Sequence, residues 1–135
     1  MKKILFTLFI GMSLIGCSNS DDDTNVQQNN PVTTQYFHPV SWIQGTWRIT
    51  GTTTSYFKFT NDDFILVTPY TSYKTVLEQT KLTGQTAKVD ETITDTDYNF
   101  VITAGASSGQ YKFKKISSTK IQWANGVNNI TLDKE

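Results

Sequence analysis

The chain holds one cysteine, one histidine and one arginine, and each scarcity removes a class of chemistry. A lone Cys17 excludes an intrachain disulfide. A lone His38 cannot supply the several nitrogen or sulfur ligands of a zinc site. The stretch that follows His38 has no further imidazole to activate a nucleophile. No Gly-x-Ser-x-Gly, no phosphate loop and no His/Cys cluster occurs. Twelve Lys and Arg balance twelve Asp and Glu, so no basic field points to nucleic acid. The longest apolar run, Ile4 to Ile15, has 12 residues, too few to span a bilayer stably. The sequence therefore leads us to expect no enzyme, no metal and no cofactor.

What the chain does have begins at its start. Met1-Lys2-Lys3 is a short positive opening, and Ile4–Ile15 follows it as the apolar region of a secretory signal would. Without Lys2 and Lys3, ten basic residues face twelve acidic ones, a net charge of −2. Leu14-Ile15-Gly16-Cys17 ends the run. These four residues resemble a bacterial lipobox. The resemblance implies a signal peptide over 1–16 and a mature protein that starts at a lipidated Cys17. The alternative is an ordinary signal peptide in which Cys17 is incidental. Each buried CH₂ contributes about 0.8 kcal/mol, so two or three acyl chains hold a domain on a membrane without a transmembrane helix.

Residues 17–40 read as that cysteine and a polar, disordered tether, rich in Asn, Gln, Asp and Ser. Few apolar side chains are available there to offset the entropy of ordering. A flexible linker of this length averages roughly 25 Å of reach. Asp21-Asp22-Asp23 lies just after the anchor and resembles a signal that sends some Gram-negative lipoproteins to the outer face of the outer membrane. A solvated spacer without such a role is the alternative, with the anchor then on the periplasmic face. His38, in Tyr36-Phe37-His38-Pro39, reads as a loop residue; Phe37, Val40 and Trp42 are candidates to plug one end of the domain.

From residue 41 onward the chain reads as strand, turn, strand. Trp47 and Ile49 fall on one face and Arg48 and Thr50 on the other, the period of a half-buried strand. Gly45 lets the chain enter that strand by a tight turn. Further strands follow over Ser55–Thr60, Phe64–Val67, Lys74–Lys81, Thr86–Thr94, Tyr98–Ala104, Gln110–Ile116, Lys120–Trp123 and Asn128–Leu132. Asn61-Asp62-Asp63, Pro69-Tyr70-Thr71-Ser72, Gly84-Gln85 and Asp95-Thr96-Asp97 separate them, and Gly105–Gly109 reads as a flexible loop. Asn125-Gly126 has the composition of a tight hairpin turn. About nine short strands at even spacing predict an all-β domain over 41–135, a small antiparallel up-and-down barrel.

Gly45-Thr46-Trp47 with the ladder behind it resembles the lipocalins and their wider kin, small barrels that share Gly-x-Trp at the first strand. That resemblance implies a lipocalin-like barrel able to hold a small ligand. Lipocalins usually pack a late arginine across the tryptophan; here the only arginine is Arg48, next to it in the chain.

An eight-strand barrel is just wide enough to be filled by side chains or to hold one small molecule. Two functions follow. In the first, the barrel binds a small apolar or amphipathic ligand, with Trp47, Phe57, Phe59, Phe100, Tyr111 and Trp123 as wall residues. Glu91 shares a face with Ala87, Val89 and Ile93; if that face is interior, its carboxylate needs a partner or a raised pKa and could orient a polar head. In the second, the barrel is fully packed and the domain contacts a protein or glycan through loops such as Pro69–Tyr73 and Gly105–Gly109.

Overall fold

The computed structural model describes residues 34–124 and 126–135. The leader, Cys17, Asp21–Asp23 and Asn125 lie outside the described residues. Among those described, the elements run β1 Gly45–Ile49, β2 Ser55–Phe59, β3 Phe64–Leu66, β4 Thr71–Ser72, α1 Tyr73–Leu82, β5 Ala87–Ile93, β6 Asp97–Ala104, β7 Ser107–Lys115, β8 Lys120–Ala124 and β9 Asn129–Lys134. The strands form one sheet in the order β4-β3-β2-β1-β9-β8-β7-β6-β5. Every pairing is antiparallel. The expected all-β, up-and-down architecture is thus the one observed. β1 pairs with both β2 and β9, which brings the two ends of the strand series together. The sheet ends at β4 and β5, and these two strands do not pair with one another. It is a half-barrel, and α1 packs against β3 and β4 on one side and β5 and β6 on the other.

That helix is a correction. Lys74–Lys81 reads as a weak strand by composition, yet it is helical. Local chemistry explains it. Ser72 is the N-cap, its hydroxyl accepting from the Thr75 N–H at 3.1 Å. Leu77 is buried, and Tyr73 and Leu77 stand four residues apart on the face that meets the sheet. Asp63, in the β2–β3 turn, is buried and accepts from the Ser72 hydroxyl at 2.6 Å and from the Lys74 N–H at 2.9 Å. A carboxylate at a helix N-terminus satisfies an orphan donor and complements the helix dipole. Ser72→Ala should cost about 1–2 kcal/mol, because it removes the cap and one partner of a buried carboxylate. Urea unfolding would measure this; an unchanged midpoint would show that the cap contributes nothing.

Gly105–Gly109 is a second correction. Gly105 and Ala106 alone form the turn, and Ser107–Gly109 belong to β7. The Gly105 N–H bonds to the Thr86 carbonyl at 2.7 Å and Ala104 pairs with Ser107, so the hairpin stays in register to its tip.

The interior is a lattice of rings. Phe64 lies 5.1–5.4 Å from Phe57, Phe59 and Phe100 between centroids, and Phe113 lies 5.2–5.3 Å from Phe57 and Phe59. Several of these pairs meet edge to face, the geometry the ring quadrupole favours. Trp47 is wholly buried, and its indole N–H donates to the Ile43 carbonyl at 2.6 Å. Lys134, the register partner of Trp47, lies over the indole at 5.4 Å, a cation–π contact supplied by a late lysine on β9. Gly45 has φ 121°, and a Cβ there would stand 2.8 Å from the same Lys134 side chain. A side chain at position 45 would meet backbone strain and would displace the Lys134 side chain.

One compact unit takes in the described residues from Thr34 to Glu135, so residues 34–40 belong to the folded domain and not to the tether. Tyr36, Phe37 and Pro39 are buried. Phe37 meets Phe100 at 5.6 Å and Phe64 at 6.4 Å between centroids. Two adjacent aromatics and a nearby proline in a polar stretch are enough to seat the chain in the core.

Candidate functional site

The concave face of the sheet changes character along β6 and β7. Its inward register pairs run Tyr98–Phe113, Phe100–Tyr111, Ile102–Gly109 and Ala104–Ser107. Ala87 of β5 stands beside Ala104. Side-chain volume thus falls from two rings per pair to almost nothing at the hairpin tip. What the small residues leave open is a cleft of about 180 Å³, lined by Tyr73, Ile102, Ala104, Ser107, Ser108, Gly109 and Tyr111. The helix contributes Tyr73, whose hydroxyl lies 3.0 Å from that of Tyr111. Burial pushes the Tyr111 phenol up, and the Tyr73 hydroxyl adds to the shift. Tyr111 is therefore a neutral hydrogen-bonding group across the physiological range. The two segments flanking the cleft are the ends of Pro69–Tyr73 and Gly105–Gly109.

The residues singled out from the sequence are distributed unevenly. Trp47, Phe57, Phe59 and Phe100 are wholly or almost wholly buried among other rings. Trp123 is half-buried, 4.9 Å from Phe57 and 5.6 Å from Tyr56, and its indole N–H is buried without a partner. Only Tyr111 of the set lines the cleft. Tyr73, Ser107 and Gly109 were expected only as members of the loops Pro69–Tyr73 and Gly105–Gly109, since neither a helix-start tyrosine nor a small strand residue signals a cleft until its neighbours are known.

Glu91 is placed elsewhere. Its side chain is 11% exposed and both carboxylate oxygens are engaged. One accepts from the His38 backbone N–H at 2.8 Å and from the Tyr98 hydroxyl at 2.5 Å; the other lies 2.7 Å from His38 Nδ1. Glu91 thus fastens the segment that carries Phe37 to the edge strand β5. The partner that the sequence demanded for this carboxylate is the histidine read as a loop residue. Burial, and then the bond to Glu91 and its charge, hold the Tyr98 phenol well above its ordinary value.

That shift has a sign. A phenol whose folded pKa is raised stabilises the fold fully below its unfolded value, 10.0 here, and the contribution is lost as pH rises above it. Urea midpoints should therefore fall above about pH 10, and Tyr98→Phe should fall less over the same interval. A flat profile in the wild type would show Tyr98 to be accessible.

Among the described residues no group of three or more His, Cys, Asp or Glu could hold a metal ion. No helix among them is long and apolar enough to cross a membrane. The ring of His38 pairs with Glu91. A second depression, about 200 Å³, lies on the outer face between β6, β7 and β8 and is lined largely by polar and charged groups, including Asp97, Asn99, Lys112 and Lys114. Compared with protein families, with curated proteins and with solved structures, the chain matches none.

Proposed function

We propose that this chain is a lipid-anchored, outward-facing binding domain, non-catalytic, that engages a partner on the cell surface at the cleft between Tyr73 and the β6–β7 hairpin. One observation carries the reading. The interior is filled by mutually packed rings, whereas a ring-sized opening lies where Pro69–Tyr73 meets Gly105–Gly109. A carrier of fatty acids or sterols would need a pocket of a few hundred Å³ inside the barrel, and the cleft is smaller than that and superficial. The packed core therefore favours a surface module over a carrier. The lipobox-like Leu14–Cys17 and the acidic Asp21–Asp23 support the anchor and the outward face.

A photo-crosslinker placed at Ser107 of the full chain, in the producing cells, should capture a defined partner. The same group at Lys112 on the outer face should not. Equal capture from both positions, or none from Ser107, would remove the cleft from the function. Saturable binding of a fatty acid or sterol to the full chain would restore the carrier. Mass spectrometry of the mature N-terminus should find acyl chains on Cys17; a terminus that starts at Ser18 would rule out the anchor.

A further inference from the structure

We infer that the cleft is a subsite for one neutral pyranose ring of a surface glycan. The inference rests on the reading of the cleft as the binding site and adds the chemistry of its ligand.

Size comes first. An apolar cavity of about 150 Å³ holds one benzene molecule. The cleft, at about 180 Å³, therefore takes one six-membered ring with its substituents and not a long chain. Charge comes second. Tyr, Ile, Ala, Ser and Gly are the residue types that line it. An ionised group entering the cleft would lose hydration with no counter-charge to meet it. The ligand is uncharged.

Hydrogen bonding decides the rest. Tyr73 and Tyr111 carry two O–H protons between them and share one bond at 3.0 Å. One proton serves that bond. The other remains as a free donor in a part-buried setting, next to unused lone pairs. Ser107 adds a hydroxyl at the rim. A ligand that matches this lining must both donate and accept around its edge and present an apolar face to Ile102 and Gly109. The equatorial hydroxyls and C–H face of a pyranose do both, with the C–H face laid on an aromatic wall. A hydrocarbon side chain would fill the space but leave the phenol donor unpaired, at a cost.

The test uses the full chain and saturation-transfer NMR with calorimetry. The probes are the methyl glycosides of glucose, galactose, mannose and N-acetylglucosamine, with N-acetyltyrosinamide as the peptide-like competitor. At least one glycoside should bind saturably, with Kd on the order of 1 mM, as expected for a single small ring. Gly109→Val should weaken it at least about tenfold. Position 109 accepts a side chain without strain, since a Cβ there meets only Tyr111 Cε2, at 3.7 Å, and the valine then occupies the cleft. Ser107→Leu serves the same purpose if Gly109→Val does not fold. Tyr111→Phe keeps the ring and removes one hydroxyl, and should weaken binding about threefold or more. Lys112→Ala, on the outer face, should change nothing.

No saturable binding by any of the glycosides, or equal binding to the wild type and both cleft-filling variants, would overturn the inference. Tighter binding of N-acetyltyrosinamide than of every glycoside would also overturn it, and would reassign the cleft to a peptide side chain. If the glycosides fail while Ser107 still captures its partner, the sugar falls and the cleft stands. If both fail, both fall.

Discussion

Trp47→Ala should remove about 3–5 kcal/mol of stability, as deletion of a large buried aromatic does. A domain of this size has about 5–15 kcal/mol in total, so the variant should lose much of its resistance to urea or fail to fold. Three features converge on this side chain. It is fully buried, its N–H serves the Ile43 carbonyl at 2.6 Å, and Lys134 covers its ring at 5.4 Å. The loss therefore combines a cavity, an unpaired carbonyl and a displaced cation. Trp47→Phe separates these, since it keeps most of the apolar volume and forfeits the hydrogen bond. A loss below about 1 kcal/mol for the alanine variant would show that Trp47 is not a core residue.

Phe37→Ala should cost a similar amount, again about 3–5 kcal/mol. It is the sharper test of where the domain begins. A barrel that started at residue 41, with a disordered tether before it, would not notice the substitution. The structure places Phe37 at zero exposure, between Phe64 and Phe100. Its neighbour His38 is pinned by Glu91 through both the backbone and the ring. Urea unfolding of the full chain would measure the effect. A stability equal to wild type would return residues 34–40 to the tether.

These two residues also show how much could be read in advance. Trp47 was legible because its strand alternates and a glycine precedes it. The same period of two located β2, β5, β6, β7 and β9 to within a few residues, since a half-buried strand writes its two faces into the sequence; β3 was read from the continuous apolar run Phe64–Val67 and β8 from the turns on either side. Phe37 was harder, because a Tyr-Phe pair in a polar, proline-ended stretch has no period. Residues 74–81 were misread because Val76 and Leu77, flanked by Thr75 and Thr80, suit a short strand by composition. Their helix is set by Ser72 at the cap and by Asp63 arriving from the preceding turn. The site was legible only in part. Pro69–Tyr73 and Gly105–Gly109 could be named as segments that meet a partner, but not as neighbours.

By itself the sequence determined what depends on local pattern and composition: an antiparallel β domain and all but the Lys74–Lys81 segment of its expected strand series. Tertiary structure decided what depends on residues far apart in the chain. Sheet register set the small residues Ala87, Ala104, Ser107 and Gly109 side by side, so that a cleft opens there while the rest of the interior is filled. The approach of Tyr73 to Tyr111, 38 positions away, created a pair of phenols with one proton to spare. Packing also chose a partner for Glu91, 53 positions from His38. Such contacts carry no local signal, because either partner alone is an ordinary residue in an ordinary strand or loop.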